Sequence, residues 1–200
     1  MTRIKLCGLS RERDIIAANE LLPEYIGFVF CPKSKRYISP ELAEKLRKIL
    51  APQIMAVGVF VDEKPEYAAA LAEKGIINLV QLHGNENCEY ISRLRTLTAK
   101  PVIQAFRGRD IPNAQDSSAD YILLDSGLGT GKVLEWSSIK ITRPYFLAGG
   151  LTPENVGQAI RTLHPFAVDV SSGLETDGNK DRAKIAAFVK AVRAVEKETL

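Results

Sequence analysis

The sequence predicts an α/β protein, a compact (β/α)8 TIM barrel, and three observations carry that prediction. Eight short apolar or β-branched runs alternate with longer amphipathic segments along the whole chain. Several runs are apolar at consecutive positions, as in Ile122-Leu123-Leu124, which suits parallel strands covered by helices. The turn after the first run, Cys7-Gly8-Leu9-Ser10, lacks the G-x-G-x-x-G of a doubly wound open sheet, the main competitor. The 200 residues leave about 25 for each of eight units, near the lower limit for a barrel, so helices and loops must be short.

The elements follow in order. A strand over residues 3–7 precedes a helix over 11–21. A second strand, 25–30, leads to Ser39-Pro40, a capping hydroxyl before a proline at the first helical position. Strand 55–61 is followed by a helix that Pro65 opens and that runs to about Lys74, where Gly75 stops it. Strand 78–82 precedes a helix over 89–97. After strand 102–106, residues 107–120 contain Pro112 and little apolar periodicity, so the fifth helix is replaced by a loop or short stub. Strands 121–125, 145–148 and 166–170 complete the eight. Thr152-Pro153 repeats the cap-and-proline start, and 181–197 forms the last helix. Gly127-Leu128-Gly129-Thr130-Gly131-Lys132 has the wrong spacing for a phosphate-binding P-loop. With no linker, low-complexity tract or charge run, residues 1–200 read as one barrel domain.

Composition narrows the function classes. With 46% hydrophobic and 26% charged residues the chain needs neither disulfides nor metal to hold a core, and disordered, collagen-like and mini-protein classes are excluded. Twenty-seven basic against 24 acidic residues give a net charge of +3, scattered without a basic block or interleaved aromatics, so no nucleic-acid partner is expected. Apolar stretches such as 55–61 fall far short of the ~20 residues that span a bilayer. Met1 leads directly into a strand without a signal-peptide core. A cytoplasmic protein without a membrane partner is expected. Cys7, Cys31 and Cys88 show no C-x-x-C spacing and His83 and His164 no zinc-like arrangement, so reduced thiols and no metal site are expected.

In a barrel the active site lies at the C-terminal ends of the strands. Cys7, Lys33-Ser34-Lys35-Arg36, Gln81-Leu82-His83-Gly84, Asp125-Ser126, Gly149-Gly150 and Asp169-Val170-Ser171-Ser172-Gly173 fall there. The last two loops are where barrels commonly hold a phosphate on backbone N–H groups. Gly149, Gly150, Ser171, Ser172 and Gly173 supply close backbone approach and two hydroxyls; their plain alternative is turning the chain. Cys7 is either an inert small hydrophobe or a base, and Asp125 either a cap or an acid; together they offer an acid–base pair across one mouth. Their ordinary pKa values, ~8.5 and ~3.9, require a site that favours thiolate at Cys7 and keeps Asp125 protonated when needed. Lys5, on the same side of the first strand as Cys7, either favours that thiolate or pairs with Asp169 on the neighbouring eighth strand. Arg36 is either solvated surface or a fork for a carboxylate. His83 is a helper, a stacking partner or a packed polar residue. Cys31 and Cys88 read as structural or incidental.

At these residues the sequence resembles the phosphoribosylanthranilate isomerase family of tryptophan biosynthesis. The matching segments are Lys5-Leu6-Cys7-Gly8-Leu9, Gly27-Phe28-Val29-Phe30, Pro32-Lys33-Ser34-Lys35-Arg36-Tyr37-Ile38-Ser39-Pro40 and Val59-Phe60-Val61. Further along come Val80-Gln81-Leu82-His83-Gly84, Leu124-Asp125-Ser126, Gly129-Thr130-Gly131-Lys132, Leu147-Ala148-Gly149-Gly150-Leu151-Thr152-Pro153-Glu154-Asn155-Val156 and Val168-Asp169-Val170-Ser171-Ser172-Gly173-Leu174-Glu175. The resemblance implies a barrel whose fifth helix is commonly lost and a cofactor- and metal-free Amadori rearrangement of a phosphorylated small-molecule substrate. It implies Asp125 as the general acid at the furanose ring oxygen and Cys7 as the general base at C2′. It further implies Arg36 at the anthranilate carboxylate, and Gly149, Gly150, Ser171, Ser172 and Gly173 around the phosphate with Asp169 nearby. His83 is carried as a substrate-binding residue. Leu22-Pro23-Glu24 departs from the family's Gly-Ala-Asp type of turn, away from the chemistry. The histidine-pathway isomerase, which performs the same rearrangement, uses paired aspartates where this chain has Cys7; a non-catalytic phosphate-binding barrel leaves Cys7 and Asp125 coincidental. Monomer and homodimer both remain open.

Overall fold

The computed structural model describes residues 1–125 and 141–197. Eight parallel strands close into a barrel in chain order: β1 (Arg3–Cys7), β2 (Tyr25–Val29), β3 (Met55–Phe60), β4 (Leu79–Leu82), β5 (Val102–Arg107), β6 (Tyr121–Asp125), β7 (Tyr145–Ala148) and β8 (Ala167–Val170), with β8 returning to β1. The predicted strands all form, with ends displaced by at most one residue. Phe30 and Asn78, for instance, still donate backbone bonds to Val59 and Ala56 just outside the strands proper.

Successive strand residues point to opposite faces, and this period of two sorts the chain into two cores. Outward residues such as Ile4, Leu6, Ile26, Phe28, Val80, Leu124 and Val168 meet the helices in one continuous cluster. Inward residues Tyr25, Val57, Leu79, Ile103, Leu123, Phe146 and Ala167 fill the barrel. Its lower end is plugged by the rings of Tyr25, Tyr121, Phe146 and Phe166, with centroids 5.3–5.9 Å apart, and the Arg3 guanidinium lies 4.2 Å from the Phe166 centroid. Above the plug the same inward parity brings Lys5, Cys7, Gln81, Asp125 and Asp169 towards the upper mouth.

The helices are α1 (Glu12–Leu21), α2 (Pro40–Ile49), α3 (Pro65–Glu73), α4 (Cys88–Arg95), α5 (Val156–Leu163) and α6 (Arg182–Lys197). Ser39 caps α2 through the Leu42 N–H, as expected, and Asn87 caps α4 through that of Tyr90. Between β5 and β6 a 3-10 segment, Gly108–Asp116, carries Pro112 inside it, which is the predicted stub. The start after β7 differs from expectation. Thr152 and Pro153 form a turn, and α5 begins at Val156 because the Asn155 side chain accepts the Thr152 N–H at 2.8 Å and donates to the Gly150 carbonyl at 2.9 Å. His164 ends α5 in the left-handed conformation at φ 45°, and Leu22 ends α1 in the same way at φ 49°, at the turn where the sequence departs from the family pattern. A hairpin of β9 (Glu175–Thr176) and β10 (Asn179–Lys180), unexpected from the sequence, rises between β8 and α6. The expected sixth-unit features over 126–140, including Gly129-Thr130-Gly131-Lys132, lie outside the described residues. No helix among the described residues is long and apolar enough to cross a membrane.

Candidate active site

Cys7 ends β1 on the inward face, in register with Gly27 of β2. A Cβ at Gly27 would stand 2.7 Å from the Cys7 sulfur, so the glycine is what gives the thiol its place. Lys5, one inward position below, is fully buried and places Nζ 2.9 and 3.0 Å from the two carboxylate oxygens of Asp169. Both readings open for Lys5 are met in part: it forms the ion pair with Asp169 and its charge also favours the Cys7 thiolate. Asp169 is thereby engaged beneath the mouth by a side chain of its neighbouring strand. The Lys5 ammonium is held protonated: burial opposes the charge, and the Asp169 carboxylate outweighs it. The expectation that the site favours thiolate is corrected here. Burial pushes the Cys7 thiol up, the Asp169 carboxylate pushes it further, and the Lys5 and Lys180 charges oppose this only in part.

Opposite β1, Asp125 ends β6. His83 Nε2 lies 3.4 Å from Asp125 Oδ2, and Arg107 Nε lies 3.9 Å from the same oxygen. Arg107 also donates to the His83 carbonyl at 3.2 Å. The His83 ring is met from its other side by Gln81, whose Nε2 is 2.8 Å from Nδ1.

The basic loop after β2 reaches over the mouth and meets the hairpin. Arg36 donates through Nε and Nη2 to the two oxygens of Glu175, at 2.5 and 3.1 Å, a side-on fork that leaves the Nη1 edge turned elsewhere. Lys35 and Lys180 bind the same carboxylate at 3.0 and 2.9 Å. Burial opposes ionisation of Glu175, but the hydrogen bonds from Arg36 and Lys180 and the adjacent charges bring its pKa down to about 2. Three cations around one carboxylate leave this side of the mouth positive. Lys180, 8% exposed, also donates to the Ser171 carbonyl and hydroxyl at 2.9 and 3.2 Å. The Ser171 hydroxyl, expected as a phosphate donor, donates to the Cys7 carbonyl at 3.1 Å.

The two loops named for phosphate lie against each other. Gly149 and Gly150 hold φ of 97° and 65°, where a side chain is strained, and a Cβ at Gly173 would collide with the Leu151 carbonyl oxygen. A cavity of about 290 Å³ gathers Cys7, Arg36, Gln81, His83, Arg107, Asp169 and Ser171 with Val29, Cys31 and Val59. Asp125 joins through His83; Gly149, Gly150, Ser172 and Gly173 stand beside this cavity and not in its lining. A neighbouring polar cavity of about 580 Å³ shares His83 and Arg107. Cys88 is exposed on α4, away from the mouth, whereas Cys31 is part of it. Among the described residues no group of three or more His, Cys, Asp and Glu stands close enough to hold a metal ion.

Sequence reasoning missed Glu175, Lys180 and Arg107 and gave Gln81 no role. The Asp177-Gly178 pair, both at positive φ, is the signal that could have found the hairpin and with it Glu175 and Lys180. A polar residue on the inward parity of an apolar strand is the signal for Gln81.

Comparison with known proteins places this arrangement. The family model described as "N-(5'phosphoribosyl)anthranilate (PRA) isomerase" matches residues 4–191. The N-(5'-phosphoribosyl)anthranilate isomerase of Endomicrobium trichonymphae is 42% identical over 201 residues, covering 98% of this chain and all of that one. The crystal structure of phosphoribosyl anthranilate isomerase from Thermotoga maritima superposes with a TM-score of 0.89 at 41% identity over 97% of this chain and all of that one. A phosphoribosyl anthranilate isomerase in complex with reduced 1-(o-carboxyphenylamino)-1-deoxyribulose 5-phosphate superposes with a TM-score of 0.87 at 40% identity, over the same shares. A thiol, a carboxylate and an arginine fork around one barrel mouth are thus found in a chain matched almost end to end, and that chain belongs to the N-(5'-phosphoribosyl)anthranilate isomerase family.

Proposed function

We propose that this barrel converts N-(5'-phosphoribosyl)anthranilate to 1-(2-carboxyphenylamino)-1-deoxyribulose 5-phosphate, an aldose–ketose isomerisation in tryptophan biosynthesis, with Asp125 as general acid and Cys7 as general base. Asp125 gives its proton to the furanose ring oxygen as the C1′–O bond breaks. The anilino nitrogen lone pair closes a C=N bond to C1′. Cys7 takes the C2′ proton, and the electrons of that C–H bond form C1′=C2′, neutralise the iminium and give an enolamine. Protonation at C1′ and loss of the 2′-hydroxyl proton yield the ketone. The carrying observation is a thiol and a carboxylate on the inward faces of β1 and β6, at the upper rim of a barrel whose lower interior is apolar.

The substrate's two anionic ends suit the two sides of the mouth. The side-on clamp by Glu175 fixes the Arg36 guanidinium and leaves its remaining edge for the anthranilate carboxylate. The Gly149-Gly150 and Ser172-Gly173 loops, beside the buried Lys180 ammonium, offer backbone to the phosphate, and Asp169 contributes through Lys5. The Thermotoga maritima enzyme is dimeric.

The test follows the loss of substrate fluorescence. Wild-type protein is expected to turn over, Cys7→Ser and Asp125→Asn to lose at least about 100-fold in kcat, and Arg36→Ala to raise KM about tenfold with kcat kept. Full activity in either of the first two variants removes the assigned role, and a folded but inactive wild type contradicts the function.

A further inference from the structure

We infer that Gln81 is a positioning residue: its amide fixes which nitrogen of His83 carries the ring proton and, through that ring, holds the Asp125 carboxyl group. The inference rests on the reading of Asp125 as the acid. Gln81 is 1% exposed on β4, flanked in register by Val59 and Ile103. A buried amide is costly unless hydrogen-bonded. Its Nε2 has one partner, His83 Nδ1 at 2.8 Å, and its Oε1 has none among the described residues.

An amide N–H only donates, so Nδ1 is the acceptor, and the proton of the neutral ring sits on Nε2. That nitrogen is the one turned towards Asp125, 3.4 Å from Oδ2, at ion-pair distance. As placed, the amide leaves one N–H and its carbonyl oxygen without partners; turned over, it would pair the oxygen and leave both N–H groups unpartnered. It would also set the Nε2 lone pair against the carboxylate. The buried amide therefore selects the tautomer, and Asp125 stands beside the nitrogen that carries the proton. Of the charged groups around the ring, Arg107 touches the His83 backbone and the carboxylate, while Asp62 and Glu86 line the adjoining cavity and Cys7 and Arg36 the opposite wall.

The experiment is 15N NMR of the imidazole rings, simplified because the chain has only two histidines, with His164 assigned by His164→Asn. At neutral pH the wild-type His83 is expected to show Nδ1 bare and Nε2 protonated. In Gln81→Met, which keeps the volume and removes the donor, the ring proton should spread over both nitrogens. Its kcat should fall on the order of tenfold, a part of what a general acid supplies, with KM within about twofold. A wild-type ring protonated at Nδ1 alone overturns the inference and needs no variant to fold. An unchanged ring and unchanged kcat in folded Gln81→Met overturns it equally. Full activity in Asp125→Asn is a separate outcome: it removes the acid while leaving the tautomer result to stand.

Discussion

Cys7 meets opposing demands: the fold buries its sulfur, and the proposed chemistry needs it ionised. Burial and Asp169 raise its pKa above that of an ordinary thiol, and Lys5, shared between Cys7 and Asp169, offsets this only in part. The sign follows directly. A base with a raised pKa is mostly protonated at neutral pH, so the Cys7 thiolate should form only above the range of an ordinary thiol. Ultraviolet thiolate absorbance followed against pH, wild type minus Cys7→Ser on enzyme shown to be folded throughout, checks this; a Cys7 that ionises below the ordinary thiol range contradicts it. The sequence made Cys7, Asp125 and Arg36 visible because each is a polar or reactive residue at the end of an apolar run. It named Asp169 as a possible partner of Lys5 and left the pair open, and it could not give the net direction of the Cys7 shift, which depends on burial.

Among the elements, the β9–β10 hairpin has the clearest functional consequence. Two strands of two residues each carry no hydrophobic period, which is why pattern reading passed over them, although the Asp177-Gly178 turn marks the place. The hairpin delivers Glu175 to Arg36, Lys35 and Lys180. With its pKa lowered to about 2 from an ordinary 4.5, Glu175 contributes stability that is present above about pH 4.5 and is lost as pH falls towards 2. Glu175→Gln should abolish that acid-range dependence and free the Arg36 fork, raising KM severalfold while kcat stays near wild type. Unchanged KM, or a fall in kcat alone, would show that the clamp does not position Arg36. The start of α5 is a related case. Thr152-Pro153 reads locally as a helix start, but Asn155 ties the turn back to Gly150 and delays the helix. The side chain that shapes the loop lies two residues beyond the motif that seemed to define it.

At the scale of the whole molecule, parity along the strands separates a structural lower barrel from a reactive rim. Below, inward positions are aromatic or aliphatic and close the barrel; above, the same parity places Lys5, Cys7, Gln81, Asp125 and Asp169 around one opening. The eight-unit count was legible because every strand run is bounded by turn or cap residues, and the missing fifth helix because Pro112 interrupts its segment. The coupling across the rim, from Gln81 through His83 to Asp125, arises only when the sheet closes. The proposed chemistry requires this rim to move a proton from C2′ of the substrate. Single-turnover rates with substrate deuterated at C2′ test it most directly. A severalfold slowing with wild-type enzyme, together with loss of the chemical step in Cys7→Ser, is the predicted result. Equal single-turnover rates for the two isotopologues would contradict it.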